Sequence, residues 1–439
     1  MDIIIRIIQV ILALSLLVVI HEFGHFLFAK LFKIRVEKFY LFFPPAIVKY
    51  KSKHSDTEWG IGCIPLGGFC KISGMVDESL DKEGINHAPK PWEFRSKPAW
   101  QRLLVLFGGV LFNFILAIIL YTAILQTWGT EVLPNENAIY GIETNDLSYE
   151  MGFRDGDKII SFNDNIYPKN FSDLQLDLIR NQATKATVIR NNDTINLNLD
   201  PVYLPACLNN AGMFMLSAPI IVAEIPDTSI NVNSGLLAND RFVQLGTYST
   251  PRFRAIQKAL NHYKSETIST IFLRQQDSIS INLKVNADSK IELVLQSDIK
   301  DFVIDKESYG LFDGLAAGAN RTWEQISNYI KELGLIFSPQ TKAYKSVGSF
   351  IAIGSIFPKA WDWRIFWNIT AMLSVMLGVL NLVPIPGLDG GHIIFTLYEM
   401  ITRRKPSDKF LIVAQIIGMI LLFALIFLAF GNDIGRLIN

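Results

Sequence analysis

The chain has 439 residues, is 50% hydrophobic with a mean hydropathy of +0.28, and balances 41 Lys and Arg against 41 Asp and Glu. It is too apolar for an ordinary soluble protein and too polar for an all-membrane bundle, so a few spans plus a sizeable soluble portion are expected. Zero net charge gives no reason to expect a nucleic-acid partner, and the three cysteines, Cys63, Cys70 and Cys207, form no disulfide framework.

The first predicted element is an apolar helix over about residues 3–32. No small-residue cleavage site follows its apolar run, so it reads as a retained span rather than a signal peptide. Within it stands His21-Glu22-Phe23-Gly24-His25. Residues i and i+4 share a helix face, so His21 and His25 can grip one metal ion from consecutive turns. Glu22 lies beside them, where it can take a proton from water. This is the arrangement of the H-E-x-x-H zinc hydrolases. Ionisable groups at membrane depth are costly and usually functional, which argues against a chance pentapeptide.

The following loop, 33–102, is rich in Lys and Arg, as is the short run Arg403, Arg404, Lys405 and Lys409. Short basic loops stay in the cytoplasm, so both face it and the block 126–363 lies on the other side. Inside the loop, Ile61–Ile72 is apolar and Gly-rich but too short and broken for a span. It fits either a hairpin dipping into the membrane or a surface hairpin. A second span is predicted over about 101–125.

Residues 126–300 read as soluble and β-rich, with an internal repeat. Gly152-Phe153-Arg154-Asp155-Gly156-Asp157-Lys158-Ile159 aligns without gaps on Gly235-Leu236-Leu237-Ala238-Asn239-Asp240-Arg241-Phe242. Gly156 and Asn239 share a position and are the residue types most at ease in a left-handed turn. Two copies of one small fold are expected. Leu311–Phe337 then carries apolar residues at helical spacing, either as a membrane-hugging amphipathic helix or as a core helix.

A third span is predicted over about 364–383 and a fourth over about 410–430. The third ends in Asn381-Leu382-Val383-Pro384-Ile385-Pro386-Gly387-Leu388-Asp389-Gly390-Gly391-His392. Two histidines leave a catalytic zinc one protein ligand short. Asp389, on an irregular stretch between apolar runs, is the leading third ligand. His392 is its rival, and helix capping is the structural alternative for Asp389.

HEFGH in the first span together with NLVPIPGLDGGH after a later one resembles the site-2 protease family of intramembrane zinc metalloproteases. The duplicated turn resembles PDZ domains, and the whole resembles the bacterial, sigma-E-regulating form with tandem PDZ domains. The resemblance implies an α-helical membrane protein of four transmembrane helices, with two β-rich PDZ-like domains between the second and third spans. Its implied divisions are an N-terminal membrane region over 1–125, PDZ-like domains over 126–205 and 206–300, a helical linker over 301–363 and a C-terminal membrane region over 364–439. It implies that Zn2+ is held by His21, His25 and Asp389, with Glu22 as general acid/base and Asn381 orienting substrate or the oxyanion. Gly67, Gly68 and Phe69 would belong to a re-entrant hairpin that holds the substrate as an added strand. The substrates implied are single-span membrane proteins, namely an anti-sigma factor or remnant signal peptides, cut within the bilayer of a bacterial inner membrane. The PDZ-like block would be periplasmic and the 33–100 loop cytoplasmic. The family's second span tends to carry G-P-x-x-N. Here it reads Gly109-Val110-Leu111-Phe112-Asn113, with valine for proline. Two rival classes stand beside this reading, a metal-dependent transporter or sensor and an inactive PDZ scaffold. Glu22→Gln separates them, because only a protease needs the base.

Overall fold

The computed structural model describes residues 2–53, 55–75, 89–250 and 252–438. The stretch 76–88 of the basic loop and residue 54 lie outside the described residues. The chain forms two compact units. One is Met1–Thr130 with Glu307–Phe337 and Lys342–Asn439, and the other is Glu131–Lys306 with Ser338–Thr341.

In the first unit, helix α1 (Asp2–Leu31) is apolar nearly all round. Its buried face is a row at four-residue spacing, Gln9, Ala13, Leu17, His21, His25 and Ala29. Ile3, Ile4, Ile7 and Leu12 are exposed, as on a helix whose outer surface meets lipid. Strands β1 (Val36–Lys51) and β2 (Glu58–Ile72) follow, then α2 (Ala99–Trp128). α1 and α2 cross where Gly24 meets Gly108, and a Cβ on Gly24 would stand 2.2 Å from the Gly108 carbonyl oxygen. Small residues of this kind let membrane helices approach backbone to backbone.

The Gly-rich stretch lies in β2, which pairs with β1 as a two-stranded hairpin. β1 bends at Phe42–Pro45, so each strand pairs twice. Residues 36–41 lie between 68–72, with which they run antiparallel, and 58–61, with which their register rises in step from Lys38 beside Glu58 to Leu41 beside Ile61, and 46–51 pair antiparallel with 58–62. The result is an order of four segments, 68–72, 36–41, 58–61 and 46–51. Among the described residues no strand pairs with the outer side of 68–72.

The second unit carries helices α3 (Asp146–Glu150), α4 (Leu174–Arg180), α5 (Leu204–Asn209) and α6 (Phe253–His262), and it is built twice over. In the first copy, Lys158–Phe162, Lys185–Arg190 and Asp193–Asn198 form a three-stranded sheet. In the second, the sheet runs Asp277–Lys284, Thr267–Arg274, Arg241–Leu245, Ile220–Glu224, Val294–Ser297 over a core that includes Val222, Phe242, Phe272 and Leu283. Each copy closes on itself by a late strand. Phe214–Leu216 pairs with Ile142–Thr144, and Val294–Ser297 pairs with Ile220–Glu224. Phe214–Leu216, supplied by chain that follows α5, thus pairs back to 142–144.

The repeated turn has the same bonding in both copies. Arg190 grips the fully buried Asp157 through Nε at 2.7 Å and an Nη at 2.8 Å, and reaches the Gly152 carbonyl at 2.9 Å. Arg274 grips Asp240 at 2.8 and 2.7 Å and reaches the Gly235 carbonyl at 2.9 Å. Gly156 and Asn239 take positive φ of 89° and 72°, as the left-handed turn requires.

Returning to the first unit, α7 (Leu311–Ile336) packs on α2 through Gly314 and Gly318, which lie against Gln126 and Thr122. It also exposes an apolar stripe, Phe312, Leu315, Trp323, Ile330 and Phe337. It is therefore a packed helix with a lipid-compatible outer face. α8 (Phe350–Ile356), α9 (Trp363–Leu382), α10 (Asp389–Thr402) and α11 (Asp408–Ile438) complete the chain. Among the described residues, four helices are long and apolar enough to cross a membrane: Asp2–Leu31, Ala99–Trp128, Trp363–Leu382 and Lys409–Arg436. α10 has 14 residues, too few to span.

Candidate metal centre

α1 brings His21 and His25 onto its buried row, and their imidazoles meet edge to face with centroids 4.8 Å apart. α9 stops at Leu382 because Pro384 cannot continue it. The chain turns through Gly387, with φ of 106°, and α10 begins at Asp389. That turn carries the carboxylate back to the two histidines. Asp389 Oδ2 lies 3.2 Å from His21 Nε2 and 3.3 Å from His25 Nε2, and the two Nε2 atoms are 3.3 Å apart.

These distances test whether zinc fits. Two ligands about 2.0 Å from a tetrahedral zinc stand about 3.3 Å from each other. All three separations match that edge. Asp389 Oδ2 is buried and makes no hydrogen bond. An anionic oxygen placed so, facing two imidazole nitrogens, suits a cation and little else. His25 Nδ1 donates to the Val105 carbonyl oxygen at 2.8 Å. A carbonyl only accepts, so the proton sits on Nδ1 and the lone pair on Nε2. Three protein ligands with an open fourth position is the pattern of a catalytic rather than a structural zinc.

The ligands border a cavity of about 440 Å³ that Glu22, Gly68, Phe69, Cys70 and His392 also line. Met419, Leu422 and Phe423 of α11 close another side. The Cys70 backbone N–H is directed at the Glu22 carboxylate, so the free-edged strand 68–72 and the carboxylate face one space. His392 reaches the cavity wall but is not one of the three clustered ligand groups. Gly67 lies beside the Phe43 ring and, unlike Gly68 and Phe69, does not belong to the cavity wall. Asn381, nearly buried on α9, holds Nδ2 3.3 Å from His21 Nε2. Cys63, Cys70 and Cys207 are all free thiols.

Two residues of the second-span motif, given no role in the sequence analysis, lie at the centre. Asn113 of α2, fully buried, holds its amide 3.0 Å from His21 Nδ1. Gly109, one turn earlier, lies flat against both imidazoles. A signal for Asn113 is present, since it is the one strongly polar side chain in the middle of the second apolar run.

A His–His–Asp set at zinc spacing, beside a glutamate and among bilayer-length helices, defines an intramembrane zinc metalloprotease. The chain belongs to peptidase family M50, whose model matches residues 9–425. It is 28% identical over 439 residues to a Rickettsia conorii protein described as a candidate zinc metalloprotease, covering 99% of both chains. It is 26% identical to the regulator of sigma-E protease RseP of Salmonella typhimurium, covering 97% of this chain and 98% of the relative. A Vibrio cholerae protein, also described as a candidate zinc metalloprotease, is 26% identical across 99% of this chain and 100% of its own.

Proposed function

We propose that this protease hydrolyses peptide bonds within the transmembrane segments of single-span membrane proteins, with Glu22 as general acid/base. The observation that carries the reading is the cavity shared by the His–His–Asp cluster, Glu22 and the edge of 68–72, with which no strand pairs among the described residues. Zinc held by His21, His25 and Asp389 supplies Lewis acidity toward water and the scissile carbonyl. Glu22 takes the proton of the attacking water and gives it to the leaving amine. Asn381, with its amide donor turned toward the ligands, stabilises the developing oxyanion.

A transmembrane helix hides its carbonyls in its own hydrogen bonds, so the substrate must unwind at the cleavage point. The outer edge of 68–72 offers backbone groups to receive the freed segment as an added strand. Selection then rests on local helix instability and access rather than on a tight side-chain pocket.

The placement proposed is a bacterial inner membrane, with 33–100 cytoplasmic and the repeated block periplasmic, on the strength of the basic short loops. The block is read as tandem PDZ-like domains that exclude substrates with large outer domains. One detail supports exclusion over capture of peptide ends. The Met213 N–H at the closing strand of the first copy is taken by Gln175 Oε1 at 3.3 Å, and Gln175 Nε2 donates to the Asn210 carbonyl at 2.8 Å. The chain itself thus occupies one backbone donor beside that strand, the Met213 N–H. A trimmed anti-sigma factor or a remnant signal peptide fits such a filter.

Glu22→Gln tests the central reading. A protease loses turnover and keeps its zinc, and single-span fragments accumulate in the membranes of cells carrying the variant. A variant that still turns over would refute the assignment of Glu22.

A further inference from the structure

Residues 105, 109 and 113 fall four apart on one face of α2, and that face is turned to the two zinc histidines. The Val105 carbonyl holds His25 Nδ1. Gly109 supplies a gap, since a Cβ there would stand 2.5 Å from His25 Nε2 and 2.6 Å from His21 Cε1. Asn113 reaches His21 Nδ1 at 3.0 Å, and its own carbonyl oxygen is anchored by Ser374 Oγ of α9 at 2.8 Å. The three positions act as a template of carbonyl, gap and amide. The first two have evident tasks.

We propose that Asn113 is a positioning residue that sets the tautomer of His21, its side-chain oxygen accepting from Nδ1–H so that Nε2 presents a lone pair to the metal. A neutral imidazole has one N–H and one lone pair. His21 has an amide at each nitrogen, Asn113 at Nδ1 and Asn381 Nδ2 at Nε2. Both cannot donate to it. If the Asn113 nitrogen faces Nδ1, Nδ1 must accept, and the proton moves to Nε2 and points at the metal position. If the oxygen faces Nδ1, Nε2 is free to bind. The two amide orientations fill the same volume. With nitrogen toward His21, Oδ1 is buried without a partner. Turning the amide over transfers that unmet need to the NH2 group. One polar atom stays unsatisfied either way, so hydrogen bonding alone does not choose, and metal binding does. Valine in place of proline at position 110 leaves this face untouched, because 110 is not on the row of 105, 109 and 113.

The proposal rests on the zinc reading of the cluster, so zinc bound by the unsubstituted protein is the control that separates the two. The measurement is zinc affinity of the full-length protein in detergent, by competition with a chromophoric chelator, together with the visible spectrum of the cobalt-substituted protein. Asn113→Leu should bind zinc roughly 10–100-fold more weakly, the usual cost of losing a partner behind a metal-bound histidine. Asn113→Asp should bind at least as tightly as the unsubstituted protein, with an unchanged tetrahedral cobalt spectrum, because a carboxylate accepts and does not donate. Unchanged affinity in Asn113→Leu overturns the proposal. So does lost affinity in Asn113→Asp, which would show that the amide is needed as a donor. Should the leucine variant not fold, the aspartate variant decides alone.

Discussion

Asp389 sets its Oδ2 3.2 Å from His21 Nε2, with α10 beginning at the one and the buried row of α1 running through the other. The carboxylate oxygen has no hydrogen-bond partner of its own. Asp389→Ala should therefore take bound zinc from about one per chain to near none, since a catalytic site with two protein ligands holds the ion poorly. His392→Ala should leave zinc in place, because His392 lines the cavity without joining the cluster. Metal analysis of the two purified variants checks both. The reverse pattern would mean that the wrong residue completes the site.

The strand edge at 68–72 should be separable from the metal. A Cβ on Gly68 would stand 2.6 Å from both the Tyr40 carbonyl oxygen and Val18 Cγ1. Gly68→Val should push the edge off α1 and slow cleavage at least tenfold, while zinc stays bound. An assay on one membrane-embedded substrate, with metal analysis alongside, reads both. Normal cleavage by this variant would argue against strand addition.

The paired clamps of the repeated block make a stability prediction. Asp157→Ala strips the partner from Arg190 and from the Arg154 backbone N–H, which the same carboxylate accepts at 2.8 Å. Removing one member of a buried ion pair costs about 3 kcal/mol or more. The first copy should then exchange its amide hydrogens faster while the second, with its own Asp240–Arg274 pair, stays protected. Hydrogen exchange read peptide by peptide distinguishes this from a general loss of structure.

Thiol labelling checks the orientation. Val202 is 68% exposed and Lys405 is exposed, so Val202→Cys and Lys405→Cys make accessible probes once Cys63 and Cys70 are replaced by serine. A membrane-impermeant maleimide on intact cells should reach position 202 and not 405. Cys207 can remain, because it is fully buried and burial pushes its thiol up to about 11. At pH 8 about one in a thousand such thiols is ionised, and thiolate rises only as pH approaches 11, so reaction stays slow across the working range. Labelling of position 405 from outside would reverse the topology.

Local patterns are legible in the sequence. The four spans follow from apolar run length, His21, Glu22 and His25 from helical spacing, and the twin turns at Gly156 and Asn239 from a gapless repeat. Each depends on neighbours along the chain, where the period of a helix or the φ of a turn is set by the residues themselves. Pairing across distance is not legible. Asp389 and His392 are both competent ligands on paper, and only the turn after Pro384 decides which one meets α1. The doubled pairing of β1 with β2 depends on a bend that no alternation of residue types announces. The closing strand Phe214–Leu216 belongs to the first copy because of its partner at 142–144, not because of its own composition. Asn113 stands out as a polar residue in an apolar run, but its place behind His21 exists only once Gly24 and Gly108 bring two helices together. Packing assembles such groups, and packing is a property of pairs of elements rather than of any one stretch of chain.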